Sequence, residues 1–178
     1  GPAVSGYEPP YQRLGVNFLW LCLLIIVVGS FAGQWFAVMQ TLGLENNFWF
    51  GHQGWEYADM GRFWQWFLFI GLMLWLFLVG RALWPTLRSK SESRSIVGLL
   101  FLSTVAIGVF FGAALLWDEH THLSMVEYWR WWLVHLWVEG FFEVFATAVI
   151  AFLFTRLGLL PVPTATVAVL FATIVFMA

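Results

Sequence analysis

Five long apolar stretches dominate the chain and constrain its fold more than any other feature. They run over residues 14–39, 63–84, 96–117, 131–154 and 162–178. Crossing the hydrocarbon core of a bilayer takes about 20 largely apolar residues, a length that each stretch meets or approaches. In lipid, a helix satisfies its own backbone hydrogen bonds, whereas an open sheet does not. The sequence therefore predicts an all-α, polytopic transmembrane helical bundle, with a single transmembrane domain over residues 1–178.

The composition excludes a soluble globular domain. The chain is 61% hydrophobic and only 10% charged, whereas soluble domains have about 25% charged residues. Aromatic residues make up 20% of the chain. The only basic cluster is the short segment 87–95, so nucleic-acid binding is not indicated. The single cysteine, Cys22, cannot form an internal disulfide bond.

The cationic residues between the stretches predict how the chain is oriented. Two of them, Arg62 and Arg130, lie at one set of helix ends, alongside most of the carboxylates. Six lie at the other set, namely Arg13, Arg81, Arg88, Lys90, Arg94 and Arg156. By the positive-inside rule, segment 87–95 is expected in the cytoplasm, whereas segments 44–62 and 118–130 face the exterior or periplasm.

The fourth stretch, "WWLVHLWVEGFFEVFA" (131–146), carries three ionisable residues in an otherwise apolar run. His135, Glu139 and Glu143 recur every four residues, so on an α-helix they share one face. A lone histidine there would most simply be a hydrogen-bonded core residue. Together with two carboxylates, it indicates a functional site, because ionisable groups within a span are costly and face a cavity, a cofactor or a proton path.

The chemistry that such residues offer is metal binding and proton transfer. An imidazole nitrogen with a carboxylate oxygen suits iron better than a soft-metal site, and a second carboxylate deeper in the membrane suits proton delivery. One helix cannot complete a coordination sphere, so further ligands are expected from other helices. The zinc-protease motif H-E-x-x-H, a glycine-rich phosphate loop and a G-x-S-x-G elbow are absent from the sequence. We interpret His52, His120 and His122 as polar loop residues.

The segment "EYWRWWLVHLWVEGFFEVFATAVIAFLFTRLGLL" (127–160) closely resembles the corresponding helix of bacterial nitric oxide reductases, in the heme–copper oxidase superfamily. Its core, H-L-W-V-E-G-x-x-E, matches the signature of that family. The stretches "YQRLGVNFLW", "GHQGWEYADMGRFWQ" and "SKSESRSIVGLLFLSTVAIG" resemble the quinol-dependent, single-chain branch. The resemblance covers essentially the whole chain and implies about five spans of a larger bundle.

The resemblance implies roles for four residues. His135 would be one of three histidine ligands of a non-heme iron called FeB, and Glu139 would be its carboxylate ligand and a catalytic residue. Oxidases carry copper in the equivalent place, without that glutamate. Glu143 would be a catalytic acid that tunes the site and passes protons. Glu56, in "GWEY", would bind calcium near the heme propionates; the alternative is a solvated loop carboxylate.

The activity implied is the reduction of two NO to N2O and water, with two protons and with two electrons from quinol. A low-spin heme b would deliver the electrons, and a high-spin heme b would face the non-heme iron. The resemblance also implies a multi-pass protein of the bacterial inner membrane that takes part in denitrification. A homodimer is compatible with the sequence.

Two parts of the family pattern are absent from this sequence. The adjacent His-His pair that completes the iron site and the axial histidines of the hemes do not occur in it. We therefore expect an internal fragment of the catalytic domain, inactive without the remaining helices of the full-length protein. Three alternatives stay open at this point: an NO dismutase-like or oxidase-like relative, a non-catalytic membrane scaffold, and an ion channel lined by the ionisable stripe.

Overall fold

All the regular secondary structure that the described residues form is helical. The structure of the protein, a computed structural model, describes residues 6–55, 58–90 and 92–177. The helices are α1 (Gln12–Val38), α2 (Gly43–Phe50), α3 (Arg62–Arg88), α4 (Arg94–Phe110), α5 (Leu123–Trp131), the π-helical segment π1 (Trp132–Phe142), α6 (Glu143–Arg156) and α7 (Val162–Met177). A short 3-10 helix, Phe111–Leu115, extends α4. The predicted all-α bundle is confirmed.

Four helices are long and apolar enough to cross a membrane. These are α1, α3, α4 with its 3-10 extension (Arg94–Leu115), and the continuous run Leu123–Arg156 that contains α5, π1 and α6. The fifth apolar stretch forms α7, which is a shorter apolar helix of 16 residues. The chain is therefore a multi-pass membrane protein of the type expected from its apolar stretches.

The helices depart from the predicted stretches in two places. The third stretch is not one helix to residue 117, because α4 changes to 3-10 geometry at Phe111. The helix that contains the fourth stretch begins at Leu123 and is 34 residues long. At about 1.5 Å per residue it measures about 51 Å, well beyond the roughly 30 Å hydrocarbon core. Hydropathy alone missed its first turns, which carry polar residues.

Two apolar clusters hold the bundle together. The first joins α3, α4, α6 and α7 through residues such as Ile96, Val97 and Ala148, which are fully buried. The second lies toward the other end of the bundle and includes Phe111 and Leu133. The core therefore surrounds α4, and it fixes one side of the helix that carries the ionisable residues.

A glycine on α1 permits close packing of a tryptophan ring from α3. A Cβ atom at Gly29 would lie 2.0 Å from Cη2 of Trp64. A side chain there would collide with the indole ring, so this contact requires glycine. Small residues serve the same purpose in other membrane bundles, since they let helix backbones approach closely.

Arg62, at the start of α3, caps the end of the α4–3-10 helix. Its side chain is 4% exposed, and Nη1 donates to the carbonyl oxygen of Ala114 at 2.6 Å. Nη2 donates to the carbonyl oxygen of Trp117. The guanidinium also lies over the rings of Phe48 and Trp117, 5.2 Å and 5.6 Å from their centroids. Because the last carbonyls of a helix lack intrahelical donors, this arginine stabilises an otherwise unsatisfied end.

Replacing Arg62 with leucine is expected to destabilise the fold. The substitution leaves two carbonyl groups without a charged donor, and each such hydrogen bond contributes about 1.5–3 kcal/mol. We expect the free energy of unfolding in mixed detergent micelles to fall by about 3 kcal/mol. Arg62→Lys retains one charged donor and is expected to lose less. Equal stability of the leucine variant and the parent would contradict the capping role.

Candidate metal centre

The ionisable residues lie on a helix that changes geometry within the membrane. His135 and Glu139 belong to π1, an eleven-residue π-helix between α5 and α6. The prediction of a continuous α-helix through residues 131–154 is therefore wrong over Trp132–Phe142. A π-helix bonds each N–H to the carbonyl five residues earlier, is usually a single turn long, and is frequent at functional sites. The wider turn changes where the side chains of this segment point.

The structure brings His135 and Glu139 together despite the altered helix. Nδ1 of His135 lies 3.4 Å from Oε2 of Glu139. The two side chains are 40% and 53% exposed, so the described part of the chain leaves this face open. The imidazole and the carboxylate thus present one nitrogen and one oxygen donor toward the same accessible space.

The separation of these two atoms fits a pair of ligands better than a strong hydrogen bond. An N–H···O bond usually spans 2.7–3.2 Å, so 3.4 Å is long for one. Nitrogen and oxygen ligands lie about 2.1 Å from a bound transition metal, and two of them at a tetrahedral angle are about 3.4 Å apart. The donor set also contains no thiolate, which favours iron, zinc or copper over a soft-metal centre.

Two donors do not complete a metal site. Within residues 6–55, 58–90 and 92–177, no group of three or more His, Cys, Asp or Glu side chains is placed to hold a metal ion. A complete centre requires further ligands from other elements. Glu143, the first residue of α6, is exposed and forms no such group with His135 and Glu139.

The other side of π1 is packed and fixed. Leu133 and Val134 are 0% and 7% exposed, and Gly140 is buried as well. These residues face the core around α4, so the segment cannot rotate without exposing them. Burial of this side therefore sets the direction in which His135 and Glu139 point.

Trp137 joins π1 directly to α4. Its Nε1 donates to the carbonyl oxygen of Ile107 at 2.9 Å. Ile107 lies in the last turn of α4, just before the change to 3-10 geometry. The indole also contacts Phe111 and Phe142, with ring centroids 5.0 Å and 5.1 Å away. Trp137 lies midway between the two donors, so this anchor limits the movement of both.

Sequence reasoning missed the roles of Trp137 and Arg62. Trp137 donates to a carbonyl within α4 and Arg62 to one at the end of the α4–3-10 helix, and each is distant in sequence from the residue that it contacts. The sequence feature that could have drawn attention to Arg62 was its position as one of two cations at the outer ends of the predicted spans. For Trp137 the signal was its place between the two donors. Neither signal identifies the partner.

The loop predicted to bind calcium is only partly described. Glu56 itself lies outside the described residues. Around it, Gln53 accepts a hydrogen bond from Nε1 of Trp117 at 2.9 Å, and the backbone N–H of Gly54 donates to Asp59 at 2.8 Å. The first bond ties the loop to Trp117, just after the 3-10 helix, and the second joins two residues of the loop itself.

The remaining histidines have local contacts in the loops. Nδ1 of His52 lies 3.5 Å from Oδ1 of Asp59. His122 is the N-cap of α5 and accepts from the backbone N–H of Ser124 at 3.3 Å. The backbone N–H of His120 donates to Asp118 at 2.9 Å. That bond and one from the hydroxyl of Thr121 hold the pKa of Asp118 below its usual range.

The relationship of the chain to known proteins comes from a family match. The sequence model of the family described as "Cytochrome C and Quinol oxidase polypeptide I" matches residues 1–178. The chain belongs to this family. It is thus related to subunit I of the heme–copper oxidases, and the resemblance to that superfamily is confirmed.

Membership of the heme–copper oxidase family gives the chain a general function. Members of the family are oxidoreductases, and the family implies heme cofactors and redox function in a membrane. Of the four histidines in this chain, only His135 lies within a span, and it sits beside Glu139. The residues present therefore fit one side of a metal centre.

Proposed function

We propose that this heme–copper oxidase family chain forms part of the catalytic membrane domain of a quinol-dependent nitric oxide reductase. In this proposal, NO is reduced to N2O and water, quinol supplies the electrons, and His135 and Glu139 bind the non-heme iron FeB beside a high-spin heme b. The observation that carries the proposal is the pair of donors 3.4 Å apart on an open face of a membrane span.

The presence of a carboxylate supports iron in preference to copper. Histidine together with a carboxylate is the ligand combination of the 2-His-1-carboxylate centres that bind non-heme iron. An oxidase-type copper site would have no need of a glutamate one helical turn from the histidine. Since Glu139 costs free energy within a span unless a cation or hydrogen bonds stabilise it, its position beside His135 favours a metal-binding role.

Some residues of this chain would then bind the metal, and others would transfer protons. When bound, the iron would act as a Lewis acid that stabilises negative charge on the nitric oxide oxygens. His135 would present Nδ1 and Glu139 would present Oε2, both held in direction by the buried side of π1. Trp137 would keep the two donors at a fixed separation through its bond to Ile107.

Glu143 would carry protons toward the site. Each turnover consumes two protons, which must reach a site in the membrane interior through ionisable groups or water. Glu143 is exposed at the start of α6, four residues beyond Glu139. A carboxyl group in this position can take up a proton from one side and release it to the other by rotating its side chain, without being a ligand itself.

Trp137→Phe tests whether the anchor positions the donors. Phenylalanine retains an aromatic ring but cannot donate to the carbonyl oxygen of Ile107. Changes outside the ligand set commonly cost 10–100-fold in metal affinity, and we expect about a tenfold loss of iron affinity. The measurement is the ratio of non-heme iron to heme in the full-length protein after dialysis against a chelator.

A matched control separates this effect from a general loss of tryptophan. Trp66, on α3, is 47% exposed and contacts Phe69. Trp66→Phe is expected to leave the iron content unchanged. If Trp137→Phe and Trp66→Phe retain iron equally, Trp137 does not position the donors.

The whole-protein activity distinguishes the proposed reaction from its relatives. The purified full-length protein, supplied with a reduced quinol, is expected to convert NO to N2O and to contain non-heme iron without copper. An oxidase-like relative would reduce O2 and contain copper, and an NO dismutase-like relative would release N2 and O2. A scaffold would contain neither heme nor non-heme iron. Any of these three results would overturn the proposal.

Three further proposals rest on the resemblance to nitric oxide reductases. Glu56 would bind calcium near the heme propionates, as its match to the "GWEY" loop suggests. The remaining iron ligands and the heme ligands would come from other helices of the full-length protein. The protein would lie in the bacterial inner membrane, where its role is denitrification, and a homodimer is compatible with this arrangement.

A further inference from the structure

A groove opens on an exposed side of the described bundle, at the arginine-rich end of α3. Its volume is about 570 Å³, which is within the range of small-molecule sites. The walls are almost entirely apolar and come from α3, α4 and the segment before α1; they include Tyr7, Leu76, Phe77, Gly80, Trp84 and Phe101. Arg81 is the cation among the lining residues.

Two arginines are held along this side of α3 by stacking on aromatic rings. The guanidinium of Arg81 lies 5.3 Å from the ring centroid of Phe77, and that of Arg88 lies 4.9 Å from the ring of Trp84. Both rings are about half exposed, at 58% and 48%. The spacing of four residues places each arginine one turn beyond its ring. The cations thus lie along the exposed surface of α3 rather than inside the bundle.

These arginines retain capacity to bind an anion. Arg81 donates from Nη2 to the carbonyl oxygen of Pro10 at 2.7 Å. A guanidinium has five N–H donors in a planar fork that matches a phosphate group. In the described segments of the chain, neither Arg81 nor Arg88 lies within 4.0 Å of a carboxylate oxygen; the arginines that do are Arg13 and Arg130.

The position of the groove along α3 matches the depth of a phospholipid. Helix α3 has 27 residues and is about 40 Å long, so its ends reach beyond the roughly 30 Å hydrocarbon core. Arg88 ends the helix, and Arg81 lies about 10 Å before it. Arg88 therefore falls near the headgroup level, whereas Arg81, at nearly the same depth as Gly80, lies about 5 Å inside the hydrocarbon boundary. A long arginine side chain can extend from this depth toward the headgroups, while the apolar walls around Leu76 lie at the level of the acyl chains.

We propose that this groove binds one anionic phospholipid, with its phosphate on Arg81 and Arg88 and an acyl chain along the floor at Gly80. Basic pockets between membrane helices at the cytoplasmic side favour anionic headgroups, and the positive-inside rule places this end of α3 there. A quinol headgroup is uncharged and would not require two cations. A soluble phosphate would not require apolar walls. The site is independent of the NO chemistry proposed for His135 and Glu139.

Two kinds of variant distinguish the contribution of the headgroup to lipid binding from that of the acyl chain. Arg81→Gln with Arg88→Gln removes both charges, while Arg156→Gln removes one exposed charge at the same predicted side of the membrane, on α6. Gly80→Leu obstructs the floor without changing charge. Apart from its own helix, the described residues bring Cε2 of Phe101 within 3.3 Å of a new Cβ there. The helix is expected to tolerate leucine, which has a higher helix propensity than glycine.

Native mass spectrometry of the full-length protein measures the binding of single lipids. The probes are phosphatidylglycerol and phosphatidylcholine with identical acyl chains. We expect the parent protein and Arg156→Gln to bind the first phosphatidylglycerol about tenfold more tightly than phosphatidylcholine, and the double arginine variant to reduce this preference to about twofold or less. Gly80→Leu is expected to lower the affinity for both lipids about fivefold while retaining the preference for phosphatidylglycerol.

Other outcomes would overturn the proposal. Equal affinities for the two lipids in the parent protein would show that the arginines do not select an anion. An unchanged preference in the double variant, or an equal loss in Arg156→Gln, would exclude this site. Unaltered lipid binding by Gly80→Leu would exclude the groove. Displacement of phosphatidylglycerol by glycerol phosphate at similar concentration would indicate a simple anion site, and displacement by a short-chain quinol alone would indicate a quinol site.

Discussion

Glu139→Gln is expected to remove most of the non-heme iron from the full-length protein and to reduce its NO reduction at least a hundredfold. The amide is a neutral, weaker donor than the carboxylate, so the site loses both a ligand and a negative charge. Changes outside the ligand set already cost 10–100-fold in metal affinity, and a direct ligand is expected to cost at least about a hundredfold. Heme content should remain normal, because Glu139 is not proposed to bind heme.

The measurement combines iron analysis with the rate of N2O formation from quinol and NO. Glu119→Gln is the matched control, since Glu119 is an exposed carboxylate in the loop after the 3-10 helix. The control is expected to keep the iron content and activity of the parent. Near-normal turnover of Glu139→Gln with a full complement of non-heme iron would refute the proposed ligand role.

Glu143→Gln is expected to leave the non-heme iron in place and to slow NO reduction about a hundredfold. Glutamine occupies the same space but cannot take up and release a proton, and loss of a general acid or base typically costs 10²–10⁴-fold. Glu143→Asp, which retains a carboxyl group one methylene shorter, is expected to recover part of the rate. The two variants together separate proton transfer from the shape of the side chain.

The diagnostic readout for Glu143 is the solvent isotope effect on turnover. If a proton-transfer step becomes rate-limiting, the ratio of the rates in H2O and D2O should increase in Glu143→Gln. The iron-to-heme ratio should match that of the parent protein. An unchanged rate and isotope effect would exclude a proton-transfer role, and a loss of iron equal to that of Glu139→Gln would instead indicate that Glu143 is a ligand.

The contrast between the variants of Glu139 and Glu143 follows from the geometry of π1 and α6. Oε2 of Glu139 is 3.4 Å from Nδ1 of His135, whereas Glu143 forms no metal-binding group with them in the described chain. Even on a straight α-helix, His135 and Glu143 would lie about 12 Å apart along the axis, too far to bind one ion together. Distance along the helix therefore separates the third residue from the first.

Much of the fold could be predicted because hydropathy and length decide which segments cross a membrane. The apolar stretches correspond to α1, α3, α4 and the later part of the run Leu123–Arg156. Hydropathy did not predict the polar first turns of α5, because the part of a helix that extends beyond the bilayer need not be apolar. The short helix α2, between α1 and α3, escaped for the same reason.

The π-helix could not be predicted, because the same residue types are compatible with α and π geometry. The spacing of His135 and Glu139 still predicted their proximity correctly, since residues four apart remain neighbours in both helices. What could not be foreseen were contacts between distant residues. Trp137 meets Ile107 and Arg62 meets Ala114 only after the helices have packed. Local sequence patterns carry no information about such partners.

The most direct test of the central claim is X-ray anomalous scattering from crystals of the full-length protein, recorded at the iron and copper absorption edges. We expect an anomalous peak at the iron edge, separate from the heme irons and within coordinating distance of Nδ1 of His135 and Oε2 of Glu139. No peak is expected there at the copper edge. A copper signal in that position, or the absence of any metal beside His135 and Glu139 in active protein, would contradict the account.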